Sequence, residues 1–288
     1  MTHAQHGPAL GIASRGGKIT WTLIDDHSGR PALLGQGQCA RLEELRALHD
    51  AQGAPLPSPR VVGAGCSSMN PALATLFSAA RTQAVDPALA HLLAPLAYET
   101  PPAGPYLALV ATARHTVLAR VDDPAHCSVL THALDLSAGA VFDALALALG
   151  MEAPGGPTIE RLADFGNAGA VELPEADQTK AQTGFVFAPL RAAALARVRE
   201  LEGSPCEQPR ADLAAAVQAA VVRQLLAPTL EALRRSGLSQ VALSGGVTRN
   251  RALRQTLQAH CRLIVPARQP SASARIALAA LLGYGHLA

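Results

Sequence analysis

The chain has 288 residues, of which 49% are hydrophobic and 16% charged, and its formal net charge is +2. This length allows one large or two modest domains with proper cores, and the composition excludes a disordered chain. The small charge excludes a nucleic-acid-binding role argued from charge alone.

In chain order, residues 1–8 read as a loose tail. Ala9 to Ala13 is a short apolar strand, followed by a turn at Ser14 to Gly17. Ile19 to Ile24 alternates and is β-rich, and Asp25-Asp26 with Ser28-Gly29 turns the chain. Ala32 to Gly35 adds a third strand to this β-meander. Arg41 to Ala51 carries Leu42, Leu45 and Leu48 at helical spacing, and Pro55 to Pro59 is a linker. Arg60 to Gly65 is a strand, and Pro71 to Ala80 and Pro87 to Ala97 are helices. The pattern then restarts with strands Pro105 to Ala111 and Thr116 to Val121. Ile19 to Asp26 and Thr116 to Asp123 match: each is a six-residue strand carrying a Thr and closed by two aspartates. This repeat of about 100 residues points to two lobes built on the same meander, with a cleft between them.

Leu134 to Gly150 is a helix from near Ser137, with Asp135 or Ser137 to cap it and Gly150 to end it. Val141, Leu145 and Leu149 share a face, and Asp143 is the one charge inside the helix. Pro154-Gly155-Gly156-Pro157 is a turn before another helix; Pro157 suits its first position, which places Glu160 in its first turn. Gly184 to Glu202 is amphipathic. Arg210 to Ser236 is long and rich in Ala and Leu, and Pro228 is expected to kink or break it. Val241 to Leu243 is a buried strand, Gly245-Gly246 a turn, and a helix follows from about Thr248 with Asn250 in its first turn. The paired glycines allow a sharp turn and the approach of a flat ligand, and the helix start offers free N–H groups. The turn is no phosphate-cradling P-loop, because the Gly-Lys-Ser/Thr ending is absent. Arg262 to Pro266 is the last strand and Ser273 to Gly283 the last helix.

Aromatic residues make up 3% of the chain, so the cores rest on Ala, Leu and Val. Lys18 and Lys180 are the only lysines, a bias of GC-rich coding rather than of function. The five cysteines, Cys39, Cys66, Cys127, Cys206 and Cys261, show neither zinc spacing nor a disulfide framework, which suits a reducing cytosol. The start lacks a basic segment followed by an apolar one, and no apolar run approaches a membrane span. A cytoplasmic chain without membrane contact is the expectation. Gly63-Ala64-Gly65-Cys66-Ser67-Ser68 lacks the third glycine and the later acid of a dinucleotide fingerprint. Ser67 and Ser68 lack a Gly-x-Ser-x-Gly context, and Cys66 is a candidate reactive thiol at a helix start.

Five segments together carry a resemblance: Ala108 to Thr116, Asp135 to Gly150, Pro154 to Ala163, Thr183 to Ala193, and Leu243 to Arg254. Their order and spacing resemble the TsaD (glycoprotease/M22-like) family of tRNA N6-threonylcarbamoyladenosine transferases. The Pro-Gly-Gly-Pro and Gly-Gly-Val-x-x-Asn-Arg pieces are the specific ones. The resemblance implies an α/β, two-lobed actin/hexokinase-like fold (ASKHA, duplicated ribonuclease-H-like). Its lobes would be a shortened one over residues 1–104 and one bearing the nucleotide motifs over residues 105–288. It implies an ATP or AMP site at Asp143, Gly156, Glu160, Gly245, Gly246 and Asn250. Asp143 and Glu160 would accept hydrogen bonds from ribose hydroxyls or an adenine amine, the glycines would let the ring lie on backbone, and Asn250 would fix its orientation.

The sequence also departs from the family. Where the family's metal-binding His-x-x-x-His pair would stand, Pro87 and His91 stand, and Ser271 takes the place of a late Asp. One imidazole is no metal site, so His91 is a lone remnant and no metal is expected. The family's Ser-Gly-Gly-His-Thr turn reads Thr112-Ala-Arg-His-Thr116, which puts the Arg114 side chain where phosphates would lie. Ala13, Ala140 and Ala144 replace charged residues. Three functions follow: a threonylcarbamoyl or carbamoyl transferase, a non-catalytic TsaB-like partner or scaffold, and a carbamoyltransferase of the hydrogenase-maturation type. The expected partners are a family subunit or a second copy of the chain. A tRNA is the further candidate, met by Arg191, Arg197, Arg199, Arg234, Arg235, Arg251 and Arg254.

Overall fold

The computed structural model describes residues 7–15, 18–25, 32–39, 44, 59–65, 77, 79–97, 104–123, 126–174, 184–201, 207–265 and 270–282. The expected tail, the helices over 41–51 and 71–80, the linker over 55–59 and the Cys66 to Ser68 stretch fall wholly or mainly outside these residues. The described strands are β1 (Ala9–Arg15), β2 (Lys18–Asp25), β3 (Ala32–Cys39), β4 (Val61–Ala64), β5 (Arg81–Ala84), β6 (Tyr106–Ala111), β7 (Thr116–Asp123), β8 (His126–His132), β9 (Gln240–Ser244) and β10 (Arg262–Ile264). The described α-helices are α1 (Pro87–Leu92), α2 (Ala138–Ala148), α3 (Gly155–Ala163), α4 (Ala188–Glu200), α5 (Gln208–Ser236), α6 (Arg251–Gln258) and α7 (Ala272–Leu281).

The strands make two five-stranded sheets, ordered β3-β2-β1-β4-β5 and β8-β7-β6-β9-β10. In the first, β1 pairs antiparallel with β2 and parallel with β4, and β4 pairs parallel with β5. In the second, β6 pairs antiparallel with β7 and parallel with β9, and β9 pairs parallel with β10. One wiring scheme is thus used twice. The repeat read from the sequence falls on β2 and β7, which hold equivalent places.

By contacts the chain divides into one unit of Met1–Gly104, Asp122–Cys127 and Pro266–Ala288, and a second of Pro105–Val121 and Ser128–Val265. The sequence reading ran the second lobe to residue 288. The end of the chain instead joins the first unit, because α7 is apolar on several sides. It buries Ile276, Ala277 and Ala280 against β1 and β4, where Gly11 and Gly63 leave room for it. Ser271 caps α7, accepting from the Ala274 amide at 3.1 Å. Asp86 caps α1 at the Ala88 amide, 2.7 Å away. The expected helix over 87–97 ends early: α1 stops at Leu92 and a 3-10 turn covers Ala94–Ala97, since Pro95 cannot supply an amide.

In the second unit, Leu107 and Leu109 of β6, Val141, Phe142 and Leu145 of α2, and Leu213, Val217 and Val221 of α5 share one buried cluster. Burying each large side chain of this kind stabilises the fold by about 1.5–3 kcal/mol. Pro228 does not break α5, which runs unbroken over 29 residues. The buried Leu225, Thr229 and Leu233 around it anchor the helix strongly enough to offset the roughly 3 kcal/mol a helical proline costs. The α5 helix is long and apolar enough, by length and composition, to cross a membrane, which the sequence reading had not expected of any run. More than half of its most apolar window is buried within the protein.

Of the two candidate caps for α2, Ser137 serves, accepting from the Ala140 amide at 3.3 Å. Asp135 instead holds the start of α4: its carboxylate accepts from the Phe187 and Ala188 amides at 2.9 and 2.7 Å. Asp135→Ala is therefore expected to destabilise the protein by about 1–2 kcal/mol, read as a lower urea midpoint. An unchanged midpoint would contradict this role.

Candidate functional site

Because β6 and β9 are parallel neighbours, their C-terminal ends emerge on the same side of the second sheet, where α/β sheets commonly bind ligands. The Thr112 to His115 turn follows β6 and the Gly245-Gly246 turn follows β9. Gly245 has φ +105°, and a Cβ there would overlap the Ala111 carbonyl oxygen and lie 2.8 Å from Thr112 Cγ2. Gly246 is exposed and open, and a Cβ there would meet no atom within 4 Å. The two glycines thus do different things: Gly245 lets the turns touch, and Gly246 presents bare backbone.

The expected helix start at Thr248 is a 3-10 turn over Val247–Arg249, and α6 begins at Arg251. Asn250 is its N-cap rather than a first-turn residue, because its Oδ1 accepts from the Leu253 amide at 3.0 Å. Its Nδ2 donates to Gln218 Oε1 on α5 at 2.7 Å. Asn250 is 7% exposed, so its side chain is held on both ends.

Asp143 stands half-buried on α2, and its Oδ1 accepts from the Gly155 amide at 2.6 Å. This bond explains why α3 starts at Gly155, two residues before Pro157, and why Glu160 falls in its second turn instead of its first. A Cβ on Gly155 would overlap the Phe142 carbonyl oxygen, so only glycine lets α3 abut α2. Gly156, next in sequence, faces open space. Glu160 Oε1 accepts from the Arg251 amide at 2.7 Å, adjacent to Asn250. The structure thus ties the sequence-derived candidates together in pairs: Asp143 with the glycines at the start of α3, and Glu160 with the start of α6 beside Asn250.

The Thr112 turn is closed upon itself. Thr112 Oγ1 accepts from the Arg114 and His115 amides at 3.1 and 2.8 Å, and Ser137 Oγ donates to the Ala113 carbonyl at 2.7 Å. Arg114 is exposed. Among the seven arginines considered for tRNA, Arg197 pairs with Glu200, and Arg234 and Arg235 with Glu231. Arg254 donates to the Thr248 carbonyl at 2.7 Å. Arg251 also bonds both oxygens of Asp164, and its guanidinium is made still more basic, first by the hydrogen bond to Asp164 and then by Glu160. Sequence reasoning passed over Asp164 and Gln218. Glu160 and Asp164 are four residues apart in and just beyond α3, a spacing that puts two carboxylates on one helix face.

His91 lies in the last turn of α1, and the Pro87 that precedes it by one turn has no donor atom in its side chain. Ser271 is spent on capping α7 and lies in a hydroxyl cluster, with Thr22 Oγ1 3.4 Å away and Ser273 Oγ 3.2 Å away. Among the described residues no three His, Cys, Asp or Glu side chains lie together as a metal-binding group. The described cysteines make no case for a nucleophile: burial pushes up the thiols of Cys39, Cys261 and Cys127, that of Cys127 to about 11. Cys66 lies outside the described residues.

The sequence profile of one family, TsaD: tRNA N6-adenosine threonylcarbamoyltransferase, matches residues 68–274. A protein of Verminephrobacter eiseniae named tRNA N6-adenosine threonylcarbamoyltransferase is 36% identical over 270 residues, covering 91% of this chain and 75% of that one. One of the same name from Methylibium petroleiphilum is 37% identical over 265 residues, with coverage of 91% and 75%. Among solved structures, full-length HypF in the phosphate- and nucleotide-bound form superposes with a TM-score of 0.66 at 13% identity, covering 96% of this chain and 55% of that one. The activator of the 2-hydroxyisocaproyl-CoA dehydratase from Clostridium difficile with bound ADPNP gives 0.52 at 13% identity, with coverage of 96% and 94%. At such identities the structures speak to the fold alone. Together with the twice-used sheet order, they make it a duplicated α/β fold of the actin/hexokinase-like type.

Proposed function

The chain belongs to the TsaD family of tRNA N6-adenosine threonylcarbamoyltransferases, and on that premise we propose that it serves threonylcarbamoyladenosine modification of tRNA as a nucleotide-binding member that works without a divalent metal. The observation that carries this reading is the hydrogen-bonded arrangement at α2, α3 and α6. Asp143 and Glu160 each give one carboxylate oxygen to a backbone amide. The other oxygen of each is then available to a hydroxyl or amine donor, which suits a ribose diol or an adenine amine and does not suit a bare anion. Gly156 and Gly246 leave the space a flat ring needs, and Asn250 stands beside Arg251 with its side chain already ordered.

A divalent metal fits the described residues poorly. A single imidazole on α1 and a serine hydroxyl committed to a helix cap do not make a donor set. The ligand of this reading is therefore ATP or AMP held by its nucleoside part, with the exposed Arg114 a cation within the turn that follows β6. We place the protein in the cytoplasm with tRNA and a family subunit or a second copy as its partners. The test is genetic and chemical. Deleting the gene is expected to lower the threonylcarbamoyladenosine content of total tRNA, measured by mass spectrometry of nucleosides. The wild-type gene should restore it and Asp143→Ala should not. An unchanged content on deletion would overturn the proposal.

A further inference from the structure

Arg251 makes the most heavily bonded side-chain contact between α3 and α6. Its backbone amide and its Nε both donate to Glu160 Oε1, at 2.7 and 3.4 Å, and its Nη2 reaches the two oxygens of Asp164 at 2.7 and 2.5 Å. The partners lie 91 and 87 residues away in sequence, so this is a tertiary clamp and not a helix-surface pair. Exposure is graded along it. The Glu160 side chain is 20% exposed, that of Asp164 46%, and that of Arg251 62%. The less exposed end is the candidate ligand carboxylate, and the more exposed end is the brace. Both of the Arg251 contacts with Glu160 fall on its Oε1, which anchors the carboxylate by one oxygen and leaves Oε2 outside the clamp. A planar guanidinium does this where a lysine could not, because two of its nitrogens reach two carboxylates at once, Nη2 that of Asp164 and Nε that of Glu160, whereas a lysine has a single nitrogen.

We infer that Arg251, braced by Asp164, is a positioning residue for Glu160 and sets the affinity of the site for a ribose or adenine donor without touching the ligand. The inference rests on the nucleoside-site reading above. Ordering the Glu160 side chain in the free protein removes that entropic cost from binding. The clamp lies at the protein surface, so its contribution is screened by salt.

The test uses the full chain and AMP as the probe, with affinities from calorimetry and folding from thermal melts. Arg251→Ala keeps the backbone bond to Glu160 and loses the guanidinium. It is expected to weaken AMP binding roughly three- to tenfold with little change in melting temperature. Asp164→Asn should weaken binding in the same direction and by less, and Arg251→Lys should not restore wild-type affinity. In a Glu160→Gln background, Arg251→Ala should have no further effect, which a merely structural staple would not produce. If Glu160→Gln weakens binding and Arg251→Ala does not, or if the two effects simply add, the inference fails while the nucleoside site stands. If Glu160→Gln itself leaves AMP affinity unchanged, Glu160 is no ligand, and the site reading falls together with the inference.

Discussion

Gly245→Ala is expected to lower stability by several kcal/mol and to abolish nucleotide binding. The residue has φ +105°, a conformation an L side chain holds only under strain of about 1–3 kcal/mol. Its new methyl would also overlap the Ala111 carbonyl oxygen, and overpacking of backbone adds about 1–3 kcal/mol. Relief would require the β9 turn to lift off the β6 turn, which spoils the surface on which the ring is to lie. Gly246→Ala is the control. Its φ is −65° and no atom lies within reach of the added methyl, so stability should stay within about 0.5 kcal/mol of wild type. Urea denaturation of the two variants checks the pair. Equal stabilities would contradict the turn geometry.

Asp143→Ala is expected to cost both folding and binding. The Gly155 amide, on a buried residue, loses its acceptor, which costs about 1–3 kcal/mol, and nucleotide affinity should fall at least about tenfold, the equivalent of one charge-assisted hydrogen bond. Asp143→Asn separates the two effects, since an amide oxygen still accepts from Gly155 but the charge is gone. It should fold like wild type and bind weakly. Asn250→Ala should behave like Asp143→Ala, because it removes the cap of α6 and strands Gln218. Wild-type AMP affinity in both Asp143→Ala and Asn250→Ala would remove these residues from the site.

What the sequence made legible follows burial. Ala9 to Ala13, Pro105 to Ala111 and Val241 to Leu243 are central strands covered on both faces, so their apolar runs announced them. The strands passed over are the edges β5 and β8. Arg81–Ala84 has no large apolar residue, and His126–His132 is alternately exposed and half-buried. An edge strand is held by one neighbour and needs little apolar surface. Helix starts failed where a distant side chain decides them. Asp143 takes the first amide of α3, and Glu160 that of α6. Asp135 left the helix beside it to cap one 53 residues further on. The candidate site residues stood out because short glycine-bearing motifs carry them. Arg251 lay within such a motif, but its tie to Glu160 and Asp164 depends on α3 and α6 both packing on α5, which no local pattern records.

The measurement that bears most directly on the account is a calorimetric titration of the purified protein with AMP and with ATP, each in the presence of a chelator and again with added divalent metal. Saturable binding of AMP that is indifferent to the chelator is expected, with ATP binding through the same nucleoside contacts. Binding of neither nucleotide, or binding of ATP that appears only when metal is added, would contradict it.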